Sequence, residues 1–227
     1  MAIIVGIDGT GGGTIPGRAR DARYDVAFQN SFVRRITRSG GPNSAYFRGP
    51  VTLGGGLMDA IDGAVRFIGE RRKQGVQEPV LLTGYSRGAA GAVVVAKRLS
   101  RKNVEVQAML LFDCVDRHLF IDAEVIPANV KDVLHIRRHP AAKSRESFGN
   151  DGTLVNRGTR YQEQFFVCTH GGVGGTPWIP ERGQKGTDLI DEGFPDGMTA
   201  VSFDQDARVS GQVWETVRPY LILNGFV

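Results

Sequence analysis

One segment of the chain joins an apolar run, a serine between two glycines and an alanine-rich stretch without interruption. Residues 79–83 (Pro-Val-Leu-Leu-Thr) have the apolar character of a buried central strand, and residues 89–99 that of a helix. Between them, residues 84–88 (Gly-Tyr-Ser-Arg-Gly) fit the pattern Gly-x-Ser-x-Gly. In this pattern the serine lies on a tight turn from strand to helix, and the glycines allow close backbone approach. The pentapeptide alone is weak evidence, but its context predicts a strand–turn–helix unit that presents Ser86.

Other apolar runs alternate with segments of helical periodicity along the chain. The predicted strands cover residues 2–7, 45–47, 104–112, 133–136 and 164–169. The predicted helices cover residues 30–38, 57–73 and 204–223, and residues 176–197 are rich in turn residues. This alternation predicts an α/β fold with a mostly parallel sheet, right-handed crossovers and helices on both faces. No linker or repeat is visible, so we expect one domain over residues 1–227.

A reactive serine needs a base, and the chain has four histidines. His135 lies inside an apolar strand, which favours a hydrogen-bonded core histidine, and His118 and His139 lie among charged residues. His170 directly follows a predicted strand and precedes several glycines. Parallel α/β sheets place ligand-facing groups at this end of their strands. His170 is therefore the favoured base.

The acid that orients the base should also follow a strand. Asp113 ends the predicted strand after the serine's helix, which makes the chain order Ser86, Asp113, His170. Asp116 and the more distant Asp151 are reserve candidates.

Two backbone N–H groups should stabilise an oxyanion beside the serine. One candidate belongs to Arg87, directly after Ser86, and the other to Gly9 or Thr10 in the glycine-rich loop after the first strand. The same loop, residues 7–14, is also similar to a phosphate-binding loop of actin-like kinases. The chain is short for that two-domain fold and lacks a Gly-Lys-Ser/Thr P-loop, which disfavours this alternative.

Composition narrows the classes of partner and cofactor. The 28 Lys and Arg against 24 Asp and Glu give a formal charge of +4, and the arginines are scattered without interleaved aromatics. We therefore expect no nucleic-acid partner, and an anionic lipid surface is a candidate. Two cysteines without zinc-site spacing predict neither a metal nor a cofactor. The N-terminal apolar run is too short for a signal peptide, so we expect cytoplasmic synthesis, with any export by another route.

Taken together, five motifs in order make the chain resemble an α/β-hydrolase family that includes type VI secretion phospholipase effectors. They are Asp8-Gly9-Thr10, Tyr46-Phe47-Arg48-Gly49-Pro50, Gly84-Tyr85-Ser86-Arg87-Gly88-Ala89, Phe112-Asp113-Cys114-Val115 and Cys168-Thr169-His170-Gly171-Gly172-Val173-Gly174-Gly175. The resemblance implies a serine ester hydrolase with Ser86 as nucleophile, Asp113 as acid and His170 as base. It also implies lipid or phospholipid esters as substrates, and export with an immunity protein as partner.

The chain departs from that family in two motifs. Family members usually carry an Asp two residues after the histidine, where Gly172 stands here, and a Trp or Asn after the first Gly-Thr, where Gly11 and Gly12 stand. The large effectors also have long insertions and a membrane-anchoring region, and we expect neither in this protein.

Candidate substrate-binding residues are Tyr85, Trp178 and Phe194. The last two belong to residues 176–197, which we expect to cover the mouth of the site, because apolar side chains in an irregular loop must join the core or meet something apolar. Besides an ester hydrolase and a phosphate-binding domain, a non-catalytic scaffold that kept the serine turn is compatible with the sequence.

Overall fold

The computed structural model describes residues 2–13, 15–116, 121–149 and 152–227. The strands are β1 (Ile3–Ile7), β2 (Ser44–Phe47), β3 (Val80–Tyr85), β4 (Val106–Phe112), β5 (Val125–Ile126), β6 (Val130–Arg138), β7 (Leu154–Val155), β8 (Arg160–Phe166), β9 (Leu189–Asp191) and β10 (Met198–Ser202). The helices are α1 (Arg18–Ala27), α2 (Phe32–Ser39), α3 (Leu57–Lys73), α4 (Arg87–Ser100), α5 (His170–Val173) and α6 (Phe203–Asn224). His118 and Asp151, two of the candidate site residues, lie outside the described residues.

Six strands form one sheet in the order β2-β1-β3-β4-β6-β8, and every neighbouring pair is parallel. Helices α3 and α4 cover one face through an aliphatic core, while α2 and α6 cover the other through a core richer in aromatic rings. The predicted α/β fold class, a mostly parallel sheet with helices on both faces, is confirmed. Within the described ranges, no helix combines the length and apolar character needed to cross a bilayer.

The sequence pattern missed helix α1, the first residues of β8 and the short elements β5, β7, α5, β9 and β10. Helix α1 has little apolar periodicity. Strand β8 begins at Arg160, whereas its predicted start was residue 164. The earlier start was missed because the first residues of β8 are charged or polar. Strand β8 is the edge of the sheet, so its side chains face solvent and the burial signal of a strand is lost. The 176–197 segment is also more regular than expected, since β9 pairs with β10 in an antiparallel hairpin.

Parallel pairing places the carboxyl ends of the strands at one edge of the sheet. Asp8 follows β1, Ser86 follows β3, Asp113 follows β4, Arg138 ends β6, and His170 lies just beyond β8. Residues far apart in the sequence therefore meet at this edge, where parallel α/β sheets bind their ligands.

Candidate active site

Ser86 occupies the turn from β3 into α4 with a backbone conformation that L-residues rarely adopt. Its φ is 57° and its ψ is −130°, and its side chain is nearly buried. A Cβ at Gly84 would lie 2.6 Å from the Ala89 Cα, and one at Gly88 would lie 2.1 Å from the Asp8 carbonyl oxygen. The two glycines are therefore required by backbone contact. Strain of this kind persists where the surrounding structure enforces it, and it concentrates at functional sites.

Ser86, His170 and Asp113 form a continuous hydrogen-bonded series. The Ser86 Oγ lies 2.9 Å from His170 Nε2, and His170 Nδ1 lies 2.6 Å from Asp113 Oδ2. An ionised carboxylate can only accept, so Nδ1 carries the proton and the Nε2 lone pair faces the serine. This is the order of contacts that a Ser–His–Asp triad requires.

Asp113 is fully buried, and it is the carboxylate that contacts His170. Burial raises the pKa of Asp113, but the hydrogen bond and charge of His170 and the charge of Arg138 outweigh burial and lower this pKa to about 2. The reserve candidate Asp116 instead accepts the Ala123 N–H at 2.9 Å in the following loop. Of the two candidates, Asp113 is thus the one described in contact with His170 Nδ1.

The imidazole of His170 is held between two aromatic rings. Its centroid lies 5.0 Å from that of Tyr85 and 5.2 Å from that of Phe148, which meets it edge-on. The His170 backbone N–H donates to Ser144 Oγ at 2.8 Å. Phe148 and Ser144 have no motif in the sequence, and only the fold of the loop after β6 brings them here.

His170 begins the short helix α5 rather than a glycine loop, and a buried carboxylate anchors this helix. The Thr169 side chain caps it at the Gly172 N–H, and Asp206 of α6 accepts both the N–H and the hydroxyl of Thr169 at 2.7 and 2.8 Å. Asp206 also accepts the Trp178 N–H at 3.0 Å. Burial raises the pKa of Asp206, and these hydrogen bonds oppose the shift. Asp206 was not predicted as a site residue.

The structure corrects one of the predicted oxyanion donors. The Gly9 N–H donates to its neighbour Asp8 Oδ1 at 2.9 Å, so it is already used. The Gly11 N–H likewise donates to the Pro50 carbonyl at 3.1 Å, whereas no acceptor for the Thr10 N–H is found among the described residues. Thr10 lines the cavity beside Ser86, and the Arg87 N–H lies at the positive end of the α4 macrodipole. Thr10 and Arg87 are the donors that the geometry favours.

The same bonds bear on the phosphate-loop alternative. A phosphate loop needs several successive N–H groups turned toward the ligand. Here two N–H groups of the loop are bonded within the protein, those of Gly9 and Gly11. Neither of these two N–H groups is available to a phosphate in this conformation.

Asp8, at the start of this loop, is fixed by hydrogen bonds to its side chain. Its buried carboxylate accepts hydrogen bonds from the Gly9 N–H, from the Ser31 hydroxyl and, at 2.9 Å, from the Tyr46 hydroxyl. Burial raises the pKa of Asp8 to about 6, although these three bonds and the charge of Arg34 lower it.

A cavity of about 740 Å³ opens over Ser86 and His170. Its other lining residues are Thr10, Phe28, Thr52, Leu53, Tyr85, Arg87, Val115, Arg145, Phe148, Gly171, Thr176, Trp178 and Glu192. Two predicted substrate-binding residues, Tyr85 and Trp178, are among them. Phe194 is not: this side chain is 99% exposed in the turn between β9 and β10, so the structure does not place it in the cavity lining as expected.

His135 and His139, the other histidines that the structure describes, have structural roles. His135 is fully buried, and its Nε2 accepts the Cys114 N–H at 3.1 Å. Burial lowers the pKa of His135 to about 4, as expected for a neutral core histidine. His139 accepts the Ala141 N–H and caps a short 3-10 turn. Within the described ranges, no three His, Cys, Asp or Glu side chains are grouped to bind a metal ion.

No protein-family profile matches the chain, and no curated protein matches it either. Among solved structures, it is similar to the RedJ thioesterase of the prodiginine pathway of Streptomyces coelicolor, with 13% identity over 78% of this chain and 82% of that one and a TM-score of 0.43. The thioesterase domain SrfTE, which cyclises surfactin, is 16% identical over 95% of this chain and 90% of that one, with a TM-score of 0.43. A structure from a study of two fungal esterases of Rhizomucor miehei is 14% identical over 96% of this chain and 75% of that one, with a TM-score of 0.39.

Proposed function

We propose that the protein is a serine hydrolase of carboxylic esters. The observation that carries this proposal is the unbroken series of hydrogen bonds from Ser86 through His170 to Asp113 at the floor of a cavity. A structural serine does not need a strained backbone, a buried base and a buried acid in this order.

In the proposed reaction, Ser86 Oγ attacks the ester carbonyl while His170 Nε2 takes the serine proton. Asp113 keeps the proton on Nδ1 and stabilises the imidazolium. The Thr10 and Arg87 N–H groups bind the oxyanion, and one such donor accounts for about 10²–10³ in rate. His170 then gives its proton to the leaving alcohol, and water cleaves the acyl-enzyme by the reverse sequence.

The cavity supports an apolar acyl group as the part of the substrate that is bound. Its volume is in the range of roughly 300–1,000 Å³ that suits a small organic ligand. Phe28, Phe148 and Trp178 supply aromatic walls, and Leu53 at the rim is 80% exposed. Exposed apolar side chains at a rim favour an apolar substrate or surface.

Lipid acyl esters at an anionic surface are the substrate class that we propose within this function. Beside Leu53, Ile179 next to Trp178 is also largely exposed, and the formal charge is +4. We expect faster hydrolysis on phosphatidylglycerol vesicles than on phosphatidylcholine vesicles, with a difference that fades as salt is raised. Equal rates, or activity on short water-soluble esters alone, would indicate a general esterase. Export by a type VI system with an immunity protein as partner is a hypothesis that rests on the sequence resemblance alone.

Labelling with a fluorophosphonate, followed by mass spectrometry of the labelled peptide, tests the proposed function. We expect a single labelled residue, Ser86, and no labelling of Ser86→Ala. The matched control is Ser100→Ala at the end of α4, which should label like the wild type. A folded wild-type protein that is not labelled, or is labelled elsewhere, would support a binding scaffold instead.

The double mutant Ser86→Ala/His170→Ala tests whether the residues act as a unit. Because the serine depends on the base, we expect the two single variants and the double variant to have similar residual rates of ester hydrolysis. Losses that multiply would separate the two residues into independent roles.

A further inference from the structure

Arg138, the last residue of β6, is buried and satisfies three carbonyls of one loop. Its Nε donates to the Ser144 carbonyl at 2.8 Å, and its Nη2 donates to the carbonyls of Arg145 and Gly149 at 2.9 and 3.1 Å. The remaining terminal nitrogen, Nη1, lies 2.5 Å from Asp113 Oδ2. A single guanidinium thus joins the acid of the site to the loop of residues 144–149.

Arg138 and His170 share one carboxylate oxygen. Asp113 Oδ2 receives Arg138 Nη1 at 2.5 Å and His170 Nδ1 at 2.6 Å, while Oδ1 accepts the Arg138 backbone N–H at 3.3 Å. Since Asp113 is fully buried, these contacts determine its orientation.

The 144–149 loop contacts His170 from the other side. Ser144 Oγ accepts the His170 N–H at 2.8 Å and lies 3.0 Å from Glu192 Oε1. Phe148 meets the imidazole edge-on with a centroid separation of 5.2 Å. Arg138 therefore binds both groups that orient His170. One is the Asp113 carboxylate, which contacts His170 Nδ1, and the other is the 144–149 loop, which contacts the His170 backbone N–H and its ring.

We propose that Arg138 is a positioning residue for the Asp113–His170 pair, fixing the acid directly and the base through the 144–149 loop. This inference rests on the proposed function. It assigns a role to a residue whose sequence context, Arg137-Arg138-His139, is that of an ordinary basic segment.

The charge of Arg138 has a consequence beyond positioning. A cation in contact with the shared carboxylate opposes the uptake of a further proton by the hydrogen-bonded pair. Other titratable or charged groups that surround the pair are Tyr85 on β3, His135 on β6, Cys168 after β8, Arg87 and Arg145 at the cavity, Glu192 after β9 and Asp206 on α6. Of Arg87, Arg138 and Arg145, Arg138 is the residue whose hydrogen bonds to Asp113 are seen among the described residues.

The test compares Arg138→Met, Arg138→Lys and the control Arg137→Met. Arg137 is the neighbouring residue on the same strand, and its guanidinium pairs with Glu163 at 2.6 Å rather than with Asp113. kcat and KM for a p-nitrophenyl ester are measured from pH 4 to pH 9, together with the rate of fluorophosphonate labelling.

For Arg138→Met, we expect kcat to fall by up to about 100-fold with little change in KM, because the reacting groups lose alignment. The acid limb of its pH–rate profile should move up by about one pH unit, because the opposing charge is gone. Arg138→Lys keeps a cation but cannot reach the three carbonyls and the carboxylate together, so we expect a lowered kcat with the acid limb of the wild type. Arg137→Met should match the wild type in both respects.

A folded Arg138→Met with wild-type kcat and an unmoved acid limb would overturn the inference. If that variant does not fold, Arg138→Lys decides: a wild-type kcat overturns positioning, and a lowered kcat with unchanged KM and acid limb supports it. Failure of the proposed function is a separate result, because the wild-type protein itself would then not be labelled.

Discussion

Gly88, the second residue of α4, lies against the Asp8 backbone so closely that a Cβ at position 88 would be 2.1 Å from the Asp8 carbonyl oxygen. This contact joins the turn that carries Ser86 to the loop that carries Thr10. The nucleophile and one proposed oxyanion donor are therefore held at a separation set by backbone packing.

Replacing Gly88 should disturb both parts at once. We expect Gly88→Ala to lower kcat/KM by up to about 100-fold, because the loop or the helix must shift. Overpacking should also cost about 1–3 kcal/mol of stability. The control is Gly69→Ala in α3, where an added Cβ meets nothing within 4 Å and should stabilise the helix by about 0.5–1 kcal/mol without changing the rate. Ester kinetics and urea midpoints measure both, and a wild-type rate for Gly88→Ala would contradict the expected coupling.

Substituting Asp113 should damage both activity and stability. In Asp113→Asn, the imidazole loses its charged partner, and we expect the rate to fall by about 10⁴. The Arg138 guanidinium would remain buried without its counter-charge, a loss of about 3–5 kcal/mol in comparable cases. Asp116→Asn is the matched control, because Asp116 accepts the Ala123 N–H and does not orient His170. If Asp116→Asn abolishes activity and Asp113→Asn does not, the acid is misassigned.

Two aromatic residues of the 176–197 segment differ in their contact with the cavity. Trp178 lines the cavity, whereas Phe194 is almost fully exposed. We expect Trp178→Ala to shift the chain-length preference for p-nitrophenyl esters and Phe194→Ala to leave it unchanged. A shift in the Phe194 variant alone would show that the loop closes over the substrate in another conformation.

The buried carboxylate of Asp8 should make stability depend on pH. Its pKa of about 6 in the folded protein exceeds the ordinary value of 3.8, so the folded protein binds this proton more tightly than the unfolded chain does. The contribution of Asp8 to the free energy of unfolding is therefore fully present below about pH 4 and is lost as pH rises to about 6. Between pH 4 and pH 7, we expect the free energy of unfolding to fall by on the order of 2–3 kcal/mol more in the wild type than in Asp8→Asn. Denaturant unfolding of both proteins at the two pH values measures it, and identical pH dependence would argue against a raised pKa.

The elements nearest the nucleophile could be predicted because their signals are local. An apolar strand, a glycine-flanked Ser86 and an alanine-rich helix follow one another without a gap. Asp113 and His170 could then be selected because a parallel sheet brings the residues at the carboxyl ends of its strands to one edge. The exposed edge strand β8 and the polar helix α1 have weak apolar patterns, so their bounds could not be predicted.

The amino-acid sequence by itself determined the order of the six strands of the main sheet and of helices α2, α3, α4 and α6, the turn at Ser86 and the residues at the ends of the strands, because periodicity and turn chemistry act over a few residues. Only the tertiary structure decided that Arg138 shares the Asp113 carboxylate, that Phe148 rather than Phe194 meets the site, and that the Gly9 N–H is already bonded. The physical reason is that these outcomes depend on how loops from different strands pack and which hydrogen-bonding groups they use up, and no local pattern of residues encodes that.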